Sequence, residues 1–308
     1  MRASLLFTIA LITVGCGAGS GGAPDGAQAA GDMAVASLDD LATEAEDLTP
    51  AGPCGGDKHP PDGGVCLLSV TGRVVDEKGA GLPDVQVTVC GPICYYGIVG
   101  ADGSFAVKLG LHVVPDRWAT EIHGRPDHVS YYVPLPPIGD GKVRYPDPFV
   151  VPALPAMGPE IALGQSKQTL ASGDVTLDLA KDTKVMLDAE DVVAGPSGRQ
   201  FRTVTIPDPK TMPFVDPMDP PLALFGVAPF EATFAPGAQL AFNNTTGLAA
   251  GAAVDVFVQV GLNEPGAAGS WNKTATAHVV SMNGTTRIAM DPGQAITETR
   301  FIALRKGP

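Results

Sequence analysis

Positive charge is scarce in this chain. Its 308 residues hold 20 Lys and Arg against 33 Asp and Glu, a net charge of −13. Nucleic-acid phosphates need a basic surface, so nucleic acid is excluded as a partner. A polybasic grip on anionic lipid is excluded on the same ground. Aromatic residues are also few, at 6 %, and a core of this size needs most of them. The apolar run at residues 5–15 is about half the roughly 20 residues that a membrane-spanning helix requires. Catalytic signatures are missing too. There is no H-x-x-E pair, and no Asp-rich loop resembles an EF-hand. Gly195-Pro196-Ser197-Gly198-Arg199 fails the last position of G-x-S-x-G and lacks the strand–turn–helix setting of a nucleophile elbow. Gly17-Ala18-Gly19-Ser20-Gly21-Gly22 spells G-x-G-x-x-G, but no strand precedes it and no helix follows. The expectation is a protein that is not an enzyme and holds no cofactor and no metal.

What is present starts at the N-terminus. Arg2 precedes the apolar run, and small residues follow it. That is the layout of a secretory signal peptide, expected over residues 1–15. Thr13-Val14-Gly15-Cys16 resembles the lipobox of bacterial lipoproteins. Val14 and Gly15 fit the pattern, and Thr13 departs from its usual aliphatic residue. The resemblance implies that Cys16 is acylated (palmitate) and becomes the mature N-terminus, tied to the membrane through a lipid anchor. Gly17, rather than Asp, follows the cysteine, which by the same resemblance favours the outer membrane of the cell envelope. Residues 16–53 are rich in Gly, Ala and acidic side chains and read as a lipidated flexible tether. Such a coil spans roughly 30–35 Å.

Glycine (38) and proline (29) are abundant, and proline recurs every few residues between Pro115 and Pro229, which excludes long helices there. Val and Thr fill the intervals, so the fold class is all-β, with two β-sandwich modules joined by a Pro-rich linker. With Cys16 assigned to lipid, Cys54, Cys66, Cys90 and Cys94 remain. An even count in an exported chain reads as two disulfides with three possible connectivities. Cys54–Cys66 and Cys90–Cys94 are favoured because both close short loops.

The first module is expected over residues 54–160. Val70-Thr71-Gly72-Arg73-Val74-Val75-Asp76, then Gly81-Leu82-Pro83-Asp84-Val85-Gln86-Val87, then Asp102-Gly103-Ser104-Phe105 resembles a carboxypeptidase-regulatory-like domain. The resemblance implies a small transthyretin-like β-sandwich without the catalytic zinc domain. Gly72 and Gly79 are expected at turns that need positive φ. Residues 161–308 are expected to form a second β-rich domain. Alternating segments include residues 174–179, 183–187, 230–234, 239–242, 254–260, 277–282 and 286–290, and Asn283-Gly284 is a hairpin turn signal. Pro229-Phe230, Phe234, Asn243-Asn244, Gly247-Leu248 and Trp271 give this part a looser resemblance to ZU5-like modules of bacterial surface proteins.

Few clusters could carry chemistry. His123-Gly124-Arg125-Pro126-Asp127-His128 offers metal-ligating types, but Pro and Gly exclude the helical spacing that such pairs exploit. It reads as a surface loop. Asp102, Asp216 and Asp219 are weak candidates for calcium. Tyr95-Tyr96 and Tyr131-Tyr132 are the paired aromatics and the candidate ligand-binding platform for a sugar. The expected function is a non-catalytic envelope lipoprotein displaying β modules for structural or adhesive contact with an envelope protein or glycan. The alternative is an accessory binding protein for extracellular polysaccharide.

Overall fold

The computed structural model describes residue 54 and residues 62–124, 126–164, 166–282 and 284–308. Cys16, the expected signal peptide and tether, and Asn283 lie outside the described residues. Among the described residues no helix is long and apolar enough to cross a membrane.

Regular structure is almost all β, at 48 % strand against 6 % helix, in keeping with the proline content that excludes long helices. One sheet contains β1 (Val65–Val75), β4 (Ile98–Val99), β5 (Ser104–Val113) and β8 (Lys142–Arg144) in the order β4-β5-β1-β8, and β9 (Phe149–Val150) pairs with β1. A second sheet orders β3 (Cys94–Tyr96), β2 (Gln86–Cys90), β6 (Ala119–His123) and β7 (Tyr131–Pro134) as β3-β2-β6-β7. Val70, Val74 and Val107 of the first sheet pack with Val87, Val89 and Ile122 of the second in one buried cluster. Period-two alternation places these residues on the inner faces.

Two glycines illustrate different backbone needs. Gly103 follows Asp102 in the turn before β5 and has φ +82°, and a Cβ there would lie 2.0 Å from the Val74 carbonyl oxygen. Gly72 was expected at a turn, but it lies inside β1, where a Cβ would meet the Phe105 ring at 2.8 Å. Its small size serves close approach of a ring, not a left-handed turn.

The third sheet has eleven strands. Its main path runs β10 (Gln168–Ser172), β11 (Val175–Leu179), β15 (Thr233–Asn243), β18 (Thr285–Met290), β17 (Trp271–Met282), β16 (Ala253–Gln259), β20 (Ile302–Lys306), β14 (Ala223–Ala228) and β13 (Arg202–Thr205). The short strands β12 (Lys184–Met186) and β19 (Ile296–Glu298) pair with β15. The two ends of the path meet through side chains. The Thr203 amide donates to Ser172 Oγ at 2.9 Å, and the Thr203 hydroxyl donates to the Ser172 carbonyl. The sheet is thereby nearly closed into a barrel. Of segments 230–234 and 239–242, expected as separate strands, the second lies wholly within the single strand β15 and the first gives it only Thr233 and Phe234. Its register shifts between Thr233 and Ala238, around Pro236, where a missing N–H breaks the ladder.

Residues 135–159 do not run free of the body. They contribute β8 and β9 and bury Leu135, Phe149, Val151 and Leu154. The cluster that holds the inner faces of the first two sheets also contains Ile206, Met212, Phe214, Leu224, Phe301 and Ala303. Tyr131, Phe214 and Phe301 meet there with ring centroids 5.0–5.7 Å apart. Apolar packing is therefore continuous between residues 67–154 and the strands that follow.

Candidate functional site

β2, β3 and β6 bring an unusual set of polar side chains onto the outer face of the four-stranded sheet. Thr88 pairs across to Tyr96 and Glu121, Gln86 to His123, and Cys90 to Cys94. Alternation puts Thr88 and Cys90 on one face of β2, and Glu121 and His123 on the same face of β6. That face is not open water. Glu121 and Thr88 are buried, and His123 is 13 % exposed at its side chain. The short helix α1 (Ala189–Val193) supplies part of the cover through Glu190, whose Oε2 lies 3.5 Å from His123 Nδ1. Asp188 caps α1, accepting from the Ala189 amide.

The geometry is tight. His123 Nε2 is 3.3 Å from Glu121 Oε2 and 3.1 Å from Thr88 Oγ1. Thr88 Oγ1 is 3.2 Å from Cys90 Sγ, and Glu121 Oε2 is 3.6 Å from the same sulfur. Burial opposes the imidazolium charge. Hydrogen bonds and attraction from Glu121 and Glu190 outweigh it and push His123 up to about 9. His123 is thus protonated across neutral pH and neutralises a buried carboxylate.

A pH dependence follows. The folded value lies above the ordinary 6.5, so the stabilisation is fully present below about pH 6.5 and is lost as pH rises through about 9. It amounts to about 3 kcal/mol. The urea midpoint of the wild-type chain is expected to fall between pH 7 and 9. His123→Gln should lower the midpoint at pH 6 and flatten that slope. An unchanged slope in the variant would show that His123 is not the titrating group.

The remaining candidates fall in different places. Cys54–Cys66 and Cys90–Cys94 are both disulfide-bonded, with Cα separations of 5.6 and 4.1 Å. Tyr96 is 66 % exposed on β3, while Tyr95 points inward and packs near Trp118 at a centroid distance of 6.2 Å. Tyr131 and Tyr132 correct the expected platform, because both rings are buried. Tyr131 packs on Phe214 and Phe301, and its hydroxyl donates to the Val150 carbonyl. Tyr132 packs on Phe230 and donates to Glu231 at 2.9 Å. Burial raises both phenols well above their ordinary value. His123 and His128 are not brought together as ligands. His128 pairs with Ala153, and its amide donates to the Gly124 carbonyl. Asp102 accepts from Ser104, Asp216 from the Met218 amide, and Asp219 from Arg305. Among the described residues, the group whose ligand atoms come within metal-binding reach is Cys90, Cys94 and Glu121.

Comparison with family models, curated proteins and solved structures gives no match. The chemistry of the chain therefore rests on its own residues.

A second polar cluster lies where β7 meets the large sheet. Arg300 is 4 % exposed at its side chain and reaches three carboxylates: Glu231 at 3.1 Å, Glu264 at 3.0 Å and Glu298 at 2.5 Å. Its Nη1 also donates to the Gln259 carbonyl at 3.1 Å. Gln259 in turn brackets the Tyr132 backbone, accepting from its amide at 3.1 Å and donating to its carbonyl at 3.0 Å. Glu231 holds φ +60°, a strained value for a non-glycine residue, and its Oε1 accepts from both Tyr132 and Arg300. Burial pushes Glu298 up to about 7 against the pull of Arg300, and hydrogen bonding to Glu264 and repulsion from Glu231 and Glu264 add to the rise. The cluster ties strands together, and its Glu264 and Glu298 line a pocket of only about 60 Å³.

Sequence reasoning singled out His123 but grouped it with the wrong partners. Its true neighbours alternate on paired strands: Glu121 two residues before it, and Thr88 and Cys90 across the ladder. The signal was E-x-H beside T-x-C, visible only once the pairing of β2 with β6 is known.

Proposed function

We propose that this chain is a non-catalytic lipoprotein of the cell envelope, anchored through Cys16 and presenting a β body for contact with an envelope protein or glycan. The first module is read as carboxypeptidase-regulatory-like and the second as ZU5-like. The observation that carries the display reading is a pair of bare sheet edges. β3 and β4 are terminal strands of their sheets. Ile93, Tyr96 and Ile98 stand 57, 66 and 85 % exposed on and beside them. Clustered exposed apolar side chains on an unpaired edge are a contact surface that a monomer otherwise suppresses.

The accessory-binding alternative has its own support. An open groove of about 750 Å³ is lined by Lys167, Asp178, Lys181, Gln239 and Gln294 beside Pro236. These are hydrogen-bonding types suited to sugar hydroxyls.

Two measurements separate the readings. Labelled palmitate is expected on the wild-type chain and not on Cys16→Ala; persistent label in the variant refutes the anchor. On a glycan array, residues Pro50–Pro308, which form one compact unit, are expected to bind no saccharide through the groove, so any binding should be lost on Ile98→Asp and survive Lys181→Ala. Binding that is lost on Lys181→Ala, and retained on Ile98→Asp, would replace the display reading with the accessory one.

A further inference from the structure

The Cys90–Cys94 disulfide has neighbours that suit it poorly. A disulfide sulfur carries no hydrogen to offer a carboxylate, yet Glu121 Oε2 sits 3.6 Å from Cys90 Sγ. Glu121 is buried, and so is Cys90, whereas Cys94 is exposed on the edge strand. The donor atoms of Cys90, Cys94 and Glu121 all lie within 4.8 Å of one another. His123 Nε2 faces the same carboxylate oxygen at 3.3 Å.

Two of these spacings match edges of a coordination shell. Zn–S of about 2.3 Å and Zn–N or Zn–O of about 2.0–2.1 Å put neighbouring ligands of a tetrahedron about 3.3–3.8 Å apart. The Cys90–Glu121 separation of 3.6 Å and the Glu121–His123 separation of 3.3 Å are two such edges. The second layer is also in place. Metal-bound imidazoles are usually oriented through their other ring nitrogen by a carboxylate, and Glu190 lies 3.5 Å from His123 Nδ1. Thr88 contacts both Cys90 Sγ and His123 Nε2. Two soft thiolates and a borderline imidazole beside one hard carboxylate select zinc-like cations over calcium or magnesium.

We propose that, once reduced, this site binds one zinc-type divalent cation through Cys90, Cys94, Glu121 and His123. The hairpin β2–β3 is then closed either by a disulfide or by a metal. The exchange balances with a dithiol reductant. One thiolate of the reductant attacks a sulfur of Cys90–Cys94 to give a mixed disulfide, and the second thiolate displaces the protein sulfur. Two electrons pass to the protein, which gains two thiols, and the reductant leaves as a disulfide. Metal binding then releases the two thiol protons and the His123 ring proton to solvent.

The test uses the full chain carrying Cys16→Ser, reduced with a phosphine under anaerobic conditions and titrated with Co²⁺. The expected result is one equivalent bound, with sulfur-to-cobalt charge transfer and the intense visible bands of a four-coordinate site, and displacement by Zn²⁺. The oxidised chain should show none of this. Cys90→Ser with Cys94→Ser should abolish the bands, and Cys54→Ser with Cys66→Ser should keep them. Glu121→Gln and His123→Gln should each weaken binding at least about 10-fold. X-ray absorption of the zinc-loaded wild-type chain should count two sulfur and two nitrogen or oxygen ligands, which keeps the test independent of whether the variants fold. The proposal is overturned if the reduced chain, with its thiols titrated as free, shows no four-coordinate bands. A shell without two sulfurs, or affinity unchanged in both Glu121→Gln and His123→Gln, overturns it equally.

Discussion

Arg300→Met is expected to destabilise the fold by about 3–5 kcal/mol at pH 8. Arg300 is the cation facing Glu231, Glu264 and Glu298, each within 3.1 Å of its guanidinium. Methionine fills a similar volume, so the loss is electrostatic and not a cavity. Three carboxylates are left in a partly desolvated space, and the Gln259 carbonyl loses a donor. The effect has a pH signature. Glu298 already takes up a proton near pH 7, and without Arg300 its neighbours should follow it upward. The variant should therefore recover stability as pH falls toward 5, while the wild-type chain gains less over the same range. Denaturant midpoints at pH 5 and pH 8 decide the matter. A deficit that is the same at both pH values would mean that Arg300 acts through packing alone.

Phe301→Ala is expected to cost about 3–5 kcal/mol, and to cost it everywhere in the body at once. Phe301 is fully buried, T-shaped to Tyr131 at 5.7 Å and packed on Phe214 at 5.0 Å. Tyr131 belongs to the four-stranded sheet, and Phe301 leads into β20 of the large one. The two tryptophans report on the two sides. Trp118 precedes β6, and Trp271 begins β17 and packs on Phe214 at 5.8 Å. Guanidinium unfolding of Trp118→Phe and Trp271→Phe chains should give coincident midpoints, and Phe301→Ala should move both down together. Separate midpoints, with only one displaced by Phe301→Ala, would show that residues 54–160 and 161–308 unfold as independent modules.

The strands that alternation announced are those in which apolar and polar residues take turns in the sequence. Val87 and Val89 of β2, and Val254, Val256 and Val258 of β16, are buried at every second position. Each segment was legible from its period, although on β2 the intervening Thr88 is buried as well. Strands of apolar residues throughout left no such trace. β14 reads Ala-Leu-Phe-Gly-Val-Ala with five of its six residues buried, so it has no period of two. β8 and β9 hide among prolines because each is two or three residues long and is recruited by β1. Asp102-Gly103 was readable because a tight turn demands positive φ. The candidate site was less legible. His123 drew attention through the residues after it, but Glu121 lies two residues before it on the same strand, and Thr88 and Glu190 reach it through strand pairing and a distant helix. Arg300 and its carboxylates lie up to 69 positions apart, and nothing local distinguishes them from solvated charges. Tyr131 and Tyr132 misled for the opposite reason: paired tyrosines resemble a surface platform, yet adjacent strand residues point to opposite faces. Here one face meets Phe301 and the other meets Phe230, so both rings are covered.

The Cys54–Cys66 bond has a mechanical meaning. Cys66 is the second residue of β1, which lies between β5 on one side and β8 and β9 on the other. The Cys54 amide is itself bonded to the Gly110 carbonyl of β5 at 3.1 Å. A pull arriving from the N-terminal side is therefore delivered through a covalent link to an interior strand, not to a frayed edge. Loaded along its length, β1 resists by shearing many ladder bonds at once instead of unzipping them singly. A body held in a flowing or crowded surrounding by its N-terminal side would keep its shape under tension that would peel a strand from a sheet border.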